Sequence, residues 1–236
     1  MDIQLRGELW DNDSADVLRW FGWRDITAPM DIAAGLEQAG GEDVTLLINS
    51  PGGDMTVGLE IRSMLRRYRG RTTALFQGFG ASAATLAATG CGQIRSEPGA
   101  LLCYHNPSGG AQGDHHAMGR AAEGLRNARD CILQVYAARP GSCSKEELIE
   151  LMDKNIWITP EQALSYGLID GVEAQEGTGA EQLADPAAFL ASGCRLRLTA
   201  AMIQQYRQHL AGERQQEEEK QRARQALARL RALAHY

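Results

Sequence analysis

The first two thirds of the chain alternate between short apolar runs and stretches of helical spacing. Ile3-Gln4-Leu5-Arg6-Gly7-Glu8-Leu9 reads as a short strand, and the Trp-bearing segment after it (Trp10, Trp20, Trp23) shows no clear period. Pro29 sits near a first helical turn, and Ile32 and Leu36 predict a helix closed by Gly40-Gly41. Val44-Thr45-Leu46-Leu47-Ile48 is short and almost continuously apolar, the pattern of a parallel strand covered on both faces. It runs into an expected turn, Asn49-Ser50-Pro51-Gly52-Gly53-Asp54, in which Asp54 supplies negative charge to a helix start. Val57, Ile61, Met64 and Leu65 then predict a helix from Met55 to Tyr68, followed by a strand at Thr72–Gln77.

Strand, helix and strand make a crossover unit, which puts the two Gly-rich segments at one carboxyl edge of a sheet. The second segment, Gly78-Phe79-Gly80-Ala81-Ser82-Ala83-Ala84, holds a single hydroxyl among very small residues at a strand-to-helix junction. A serine there is by default an N-cap. It is also where a nucleophile meets the first helical amides and the positive end of the dipole.

Further on, Gln93-Ile94-Arg95 and Ala100-Leu101-Leu102-Cys103-Tyr104 read as strands, the latter delivering His105. A loop with Gly109, Gly110 and Gly113 leads to a long helix from Asp114 to Ala138. Gly119 and Gly124 inside it each cost about 1 kcal/mol against alanine, which predicts close packing there. Ser144-Lys-Glu-Glu147 is a capping box. Trp157–Thr159 looks extended, Pro160–Leu164 starts a short helix, and Gly167–Val172 reads as a last strand. From Thr199 the chain is rich in Gln, Glu, Arg and Ala, with an i,i+4 pair at Glu218 and Arg222 and a thin apolar seam through Ala223, Leu227, Leu230 and Leu233. The reading divides the chain into a domain at 1–172, a linker at 173–198 and a charged helical extension at 199–236.

With 236 residues and 44% hydrophobic content, one domain with an appendage is expected. A net charge of −6 offers no basic stripe for phosphates, so nucleic acid is not an expected partner. No run reaches the roughly 18 to 20 apolar residues of a membrane span. Five cysteines without a C-x-x-C pair, and an N-terminus without an apolar signal core, point to a reduced cytoplasmic setting. His115 and His116, with Cys103 and His105 upstream, lack dependable ligand spacing, so neither a metal nor a cofactor is expected.

Acyl transfer needs a nucleophile, a base, an orienter for the base and two donors for the oxyanion. Ser82 and His105 supply the first two, and the amides of Gly53 and Ala83 the donors. Asn49-Ser50-Pro51-Gly52-Gly53, the Ala-Ser-Ala-Ala helix start, His105-Asn106-Pro107 with Gly109-Gly110, and Glu-Gln-Ala-Leu-Ser-Tyr-Gly-Leu-Ile-Asp170 occur in order. Over roughly residues 40 to 172 this pattern resembles the proteolytic subunit of the Clp protease family, serine peptidases of the ClpP/crotonase-like fold. The N-terminal region and helical extension further resemble the phage and prophage branch, the head maturation proteases. The resemblance implies an α/β fold of stacked βαβ units with a C-terminal helical extension, Ser82 as nucleophile, His105 as base, and Gly53 and Ala83 as the oxyanion hole. It also implies a homo-oligomeric ring, with the long helix at the ring-to-ring contact. Its substrates are proteins, capsid or scaffold proteins in the phage branch, and an ATPase unfoldase is a further implied partner.

The third catalytic position departs from the pattern. Counting back from Tyr-Gly-Leu-Ile-Asp, the family's aspartate falls on Asn155. Asparagine can hold a histidine tautomer but cannot stabilise the imidazolium by charge, and that exchange costs about 10⁴ in turnover in a serine protease. Asp153, two residues away and on the same side of an extended segment, is the expected orienter of His105, with an Asn155-assisted dyad second. Three other readings remain open: general ATP-dependent degradation, a catalytically silent ring subunit, and a crotonase-type acyl-CoA enzyme.

Overall fold

The computed structural model describes residues 1–174 and 198–233. Their contacts form two units, one of residues 1–15 and 24–174, the other of 16–23 and 198–233.

The elements in chain order are β1 (Asp2–Leu9), α1 (Asn12–Trp20), β2 (Ile26–Thr27), α2 (Pro29–Ala39), β3 (Val44–Gly53), α3 (Met55–Arg67), β4 (Thr72–Ala81) and α4 (Ala83–Ala88). They continue as β5 (Gln93–Ser96), β6 (Leu101–Cys103), α5 (His115–Ala137), α6 (Lys145–Lys154), β7 (Trp157–Ile158), α7 (Pro160–Ser165), β8 (Gly171–Val172) and α8 (Ala200–Leu233). In the larger unit the strands lie in the order β2-β1-β3-β4-β5-β8 and are parallel throughout that path. Helices joining parallel strands are the α/β arrangement expected from the apolar runs.

β4 is the strand that shapes the site. Its first half, Thr73–Phe76, pairs with β5, and its second half, Phe79–Ala81, pairs with β6, which in turn pairs antiparallel with β7. Between the halves the register against β3 slips: Ile48 faces Phe76 but Ser50 faces Gly80, so β4 carries two extra residues. The Phe79 N–H donates to Asn49 Oδ1 across this bulge at 3.3 Å. A Cβ at Gly80 would enter the ring of the fully buried Phe76, so only glycine fits there. The bulge bends β4, and re-aiming the end of a strand is what bulges do beside functional sites.

Small residues set the next layer. All six residues of α4 are buried, and alanine at most of them lets the helix lie close to β3, β4 and α3. A Cβ on Gly58 of α3 would fall 2.5 Å from the Ala83 carbonyl oxygen. The Asp54 carboxylate caps α3, accepting from the Thr56 N–H at 2.7 Å.

Several expectations are corrected. The segment Asn49–Gly53 is not a turn but the end of β3, because its backbone goes on pairing with β1 as far as Leu9 opposite Gly53. The Trp-bearing segment without a period contains α1, and β2 follows it. The last strand narrows from 167–172 to Gly171–Val172, paired with β5. Among the described residues a Cβ at Gly119 or Gly124 would meet nothing within 4 Å, so the close packing expected there is not found among them. Residues 153 to 155 are the end of α6 and its left-handed cap, not an extended segment.

In the smaller unit, the Trp20 ring lies 5.8 Å from that of Tyr206 and 5.0 Å from that of His209 on α8, centroid to centroid. The apolar seam, Arg222 of the expected i,i+4 pair and most of the expected linker lie outside the described side chains and residues. Among the described residues no helix is long and apolar enough to cross a membrane.

Replacing Gly58 by alanine forces α3 from α4 and is expected to cost about 1 to 3 kcal/mol. Gly119→Ala, with open space around it, should leave stability unchanged or raise it by up to about 1 kcal/mol. Urea unfolding of both variants checks this, and equal midpoints would contradict the packing described.

Candidate active site

Ser82 stands between β4 and α4 with φ 54° and ψ −126°, one of two non-glycine residues at positive φ among the described residues. Such a conformation costs about 1 to 3 kcal/mol and persists only where its surroundings over-determine it. Here they do. The Ser82 N–H donates to the Cys103 carbonyl at 3.0 Å, and the Ser82 carbonyl accepts from the Thr85 N–H at 3.0 Å and the Thr85 hydroxyl at 2.7 Å. Thr85 shares a 2.7 Å hydrogen bond with the buried Tyr136 hydroxyl, whose ring packs edge-on against Tyr104. Burial pushes both phenols well above the usual tyrosine range, so they stay neutral.

The end of β3 presses against this junction. Gly52, at φ 88°, comes so close that a Cβ on it would lie 2.7 Å from Ser82 Cβ and 2.8 Å from the Ala83 nitrogen. Its own N–H is committed to the Ser50 hydroxyl at 3.1 Å, and that buried hydroxyl donates to the Gly7 carbonyl at 2.6 Å. Gly53 follows at φ 150° and is exposed, and a Cβ there would enter the backbone of Leu9. The Ala83 amide is the first of α4, a position with no intrahelical acceptor. The structure therefore brings Gly52, Gly53, Ser82 and Ala83 to one sheet edge.

His105 reaches the same edge on the chain leaving β6, one residue past Tyr104 and two past the carbonyl that holds Ser82. Its Nδ1 lies 2.7 Å from the Asn106 carbonyl oxygen. A carbonyl can only accept, so Nδ1 carries the proton and Nε2 of the neutral ring carries the lone pair. This is the tautomer a general base requires.

Neither expected orienter bonds to that ring among the described residues. The Asp153 carboxylate accepts from Asn106 Nδ2 at 2.7 Å, while Asn155 caps α6 at φ 47° and turns its Oδ1 toward Cys103 Sγ at 4.0 Å. Asn106, given no role by sequence reasoning, is the residue that touches both His105 and Asp153. Among the described residues its Oδ1 is buried without a partner, beside a cavity of about 160 Å³ lined by Asn106, Pro107, Leu125, Arg126 and Arg129. Cys103 is not a rival nucleophile, since burial pushes its thiol up to about 11 and keeps it protonated near neutral pH. His115 and His116 stack at 3.9 Å, and no group of three or more metal-ligating side chains occurs among the described residues.

Comparison with known proteins shows the family. The family model for Clp protease matches residues 31–176, well over half of the chain. The chain belongs to the Clp protease family. Among similar curated proteins is the ATP-dependent Clp protease proteolytic subunit 1 of Streptomyces avermitilis, 34% identical over 132 residues, which cover 55% of this chain and 60% of that protein. The corresponding subunit of Nephroselmis olivacea is 33% identical over 129 residues, 54% of this chain and 62% of its own. That of Ligilactobacillus salivarius is 32% identical over 133 residues, 56% and 67% respectively. The chain thus spans about three fifths to two thirds of the length of the curated relatives it matches.

The burial account predicts that iodoacetamide near pH 8 alkylates the exposed Cys131 in the folded chain. Cys91, pushed up to about 12 by burial, and Cys103 should stay unmodified until denaturant is added. Peptide mapping checks this, and alkylation of Cys103 as fast as Cys131 would contradict it.

Proposed function

We propose that this chain is a serine-type peptidase subunit that hydrolyses peptide bonds with Ser82 as nucleophile and His105 as general base. One observation carries the reading. A serine held in a strained conformation at a strand-to-helix junction lies against Gly52, whose approach leaves no room for a side chain. Such a junction exposes the hydroxyl and sets the first helical amide beside it. In the proposed reaction His105 Nε2 takes the Ser82 proton as Oγ attacks the scissile carbonyl. The negative charge that develops on the carbonyl oxygen is met by the amides of Gly53 and Ala83. The protonated ring then gives its proton to the leaving amine, and a water repeats the sequence to release the acyl group.

Enclosure of the site in a homo-oligomeric ring and action on protein substrates follow from family membership as part of the same proposal. For substrates we favour scaffold or capsid proteins cut during phage head assembly. The 34-residue α8, beyond the matched residues, supports this as an extension suited to an assembly contact. The names of the relatives favour the alternative, a general ATP-dependent degradation subunit. Cleavage of a folded protein substrate without ATPase or ATP is expected for the first reading, and strict dependence on both for the second. Asn155 favours one further alternative, a ring subunit without activity.

A fluorophosphonate probe read by intact mass tests the chemistry. One adduct per chain is expected, mapped to Ser82, absent in Ser82→Ala and slowed about a thousandfold or more in His105→Ala. A folded, assembled wild type that takes no label, or an adduct on another residue, would overturn the proposal.

A further inference from the structure

We infer that Asn106 and Asp153 together stand in for the carboxylate missing at position 155: Asn106 orients His105 through its backbone carbonyl, and Asp153 holds Asn106 in place through its carboxamide. The inference rests on the proposed role of His105 as base.

The argument starts at the ring. The acceptor facing His105 Nδ1 at 2.7 Å is a main-chain carbonyl, so what fixes the ring is whatever fixes the Asn106 peptide. That peptide lies in the stretch between β6 and α5, which has no regular secondary structure and contains Gly109, Gly110 and Gly113. Pro107 restrains it from one side by biasing Asn106 away from helical angles. The other restraint is the side chain. Asn106 Nδ2 donates to Asp153 Oδ1 at 2.7 Å, and Asp153 stands on the last turn of α6.

α6 is a firm anchor. Its first turn is closed by the Ser144 and Glu147 capping box, and Leu148, Leu151 and Met152 bury its inner face. The carboxylate also decides which way the carboxamide points, since a flipped amide would set Oδ1 against Asp153. Among the described residues Asn106 Oδ1 is buried and unpartnered and its carboxamide is held by its nitrogen alone, so it loses that hold if Asp153 is removed. Asn155 does not provide this hold, because its side chain faces Cys103. Asn106 and Asp153 are therefore positioning residues, acting on the base from outside the reaction.

The test compares fluorophosphonate labelling rates of the full chain in its assembled form. Asn106→Ala and Asp153→Ala should each slow labelling by about tenfold or more, with unfolding midpoints near that of the wild type. In peptide hydrolysis the loss should fall on kcat, with KM changed by no more than about twofold. Asn106→Asp sets two carboxylates face to face and should be slower still. The double variant N106D/D153N exchanges donor and acceptor, rebuilds the bond, and should recover at least about tenfold over N106D. Single alanine variants that label at the wild-type rate, or a double variant no faster than N106D, would overturn the inference. A wild type that takes no label would overturn the reading of Ser82 and His105 and this inference with it, whereas a labelled wild type with indifferent variants overturns the inference alone.

Discussion

The structure turns on how closely the end of β3 approaches the start of α4. Gly52 sits where any side chain would strike Ser82 and the Ala83 amide, and Gly58 sits where any side chain would strike the Ala83 carbonyl. The nucleophile candidate is thus gripped from two elements that follow one another in sequence. Its left-handed backbone is the local cost of that grip, offset by the hydrogen bonds to Cys103 and Thr85 on either side. The bulge in β4 belongs to the same device: it bends the strand so that its second half pairs with β6, which carries His105 to the junction.

Electrostatically the site is lean. Its donors and acceptors are mostly main-chain groups: the amides of Gly53 and Ala83 in the proposed oxyanion hole, the carbonyl of Cys103 behind Ser82, and the carbonyl of Asn106 behind His105. Main-chain dipoles held by a rigid sheet need little reorganisation as charge develops. A carbonyl orients an imidazole but stabilises its protonated form less than a carboxylate does, so the proposed chemistry predicts turnover below that of a complete triad.

Much of this was legible in the sequence, for reasons that differ between residues. The apolar runs at 44–48 and 72–77 are strands because both faces are buried, which leaves a strong signal. The Ser144 and Glu147 box was readable because local polar groups alone close that helix end. The Asn49–Gly53 segment reads as a turn but is strand, since its pairing with β1 uses main-chain groups and leaves no side-chain pattern. α1 hides because its buried residues among those described are Ala15, Val17 and Leu18, while Trp20 is 41% exposed. The departure at Asn155 was legible, but the compensation proposed for it was not. Spacing in an extended segment was the wrong guide for residues 153 to 155, which end a helix, and the bond from Asn106 to Asp153 spans 47 positions that no local pattern connects.

The central claim is that Ser82 attacks while the amides of Gly53 and Ala83 receive the oxyanion. A crystal structure of the phosphonylated protein tests it most directly, because the phosphoryl oxygen occupies the place of the developing charge. The account predicts phosphorus bonded to Ser82 Oγ, with that oxygen about 2.7 to 3.1 Å from both amide nitrogens. An adduct whose oxygen points away from Gly53 and Ala83 toward solvent would contradict it.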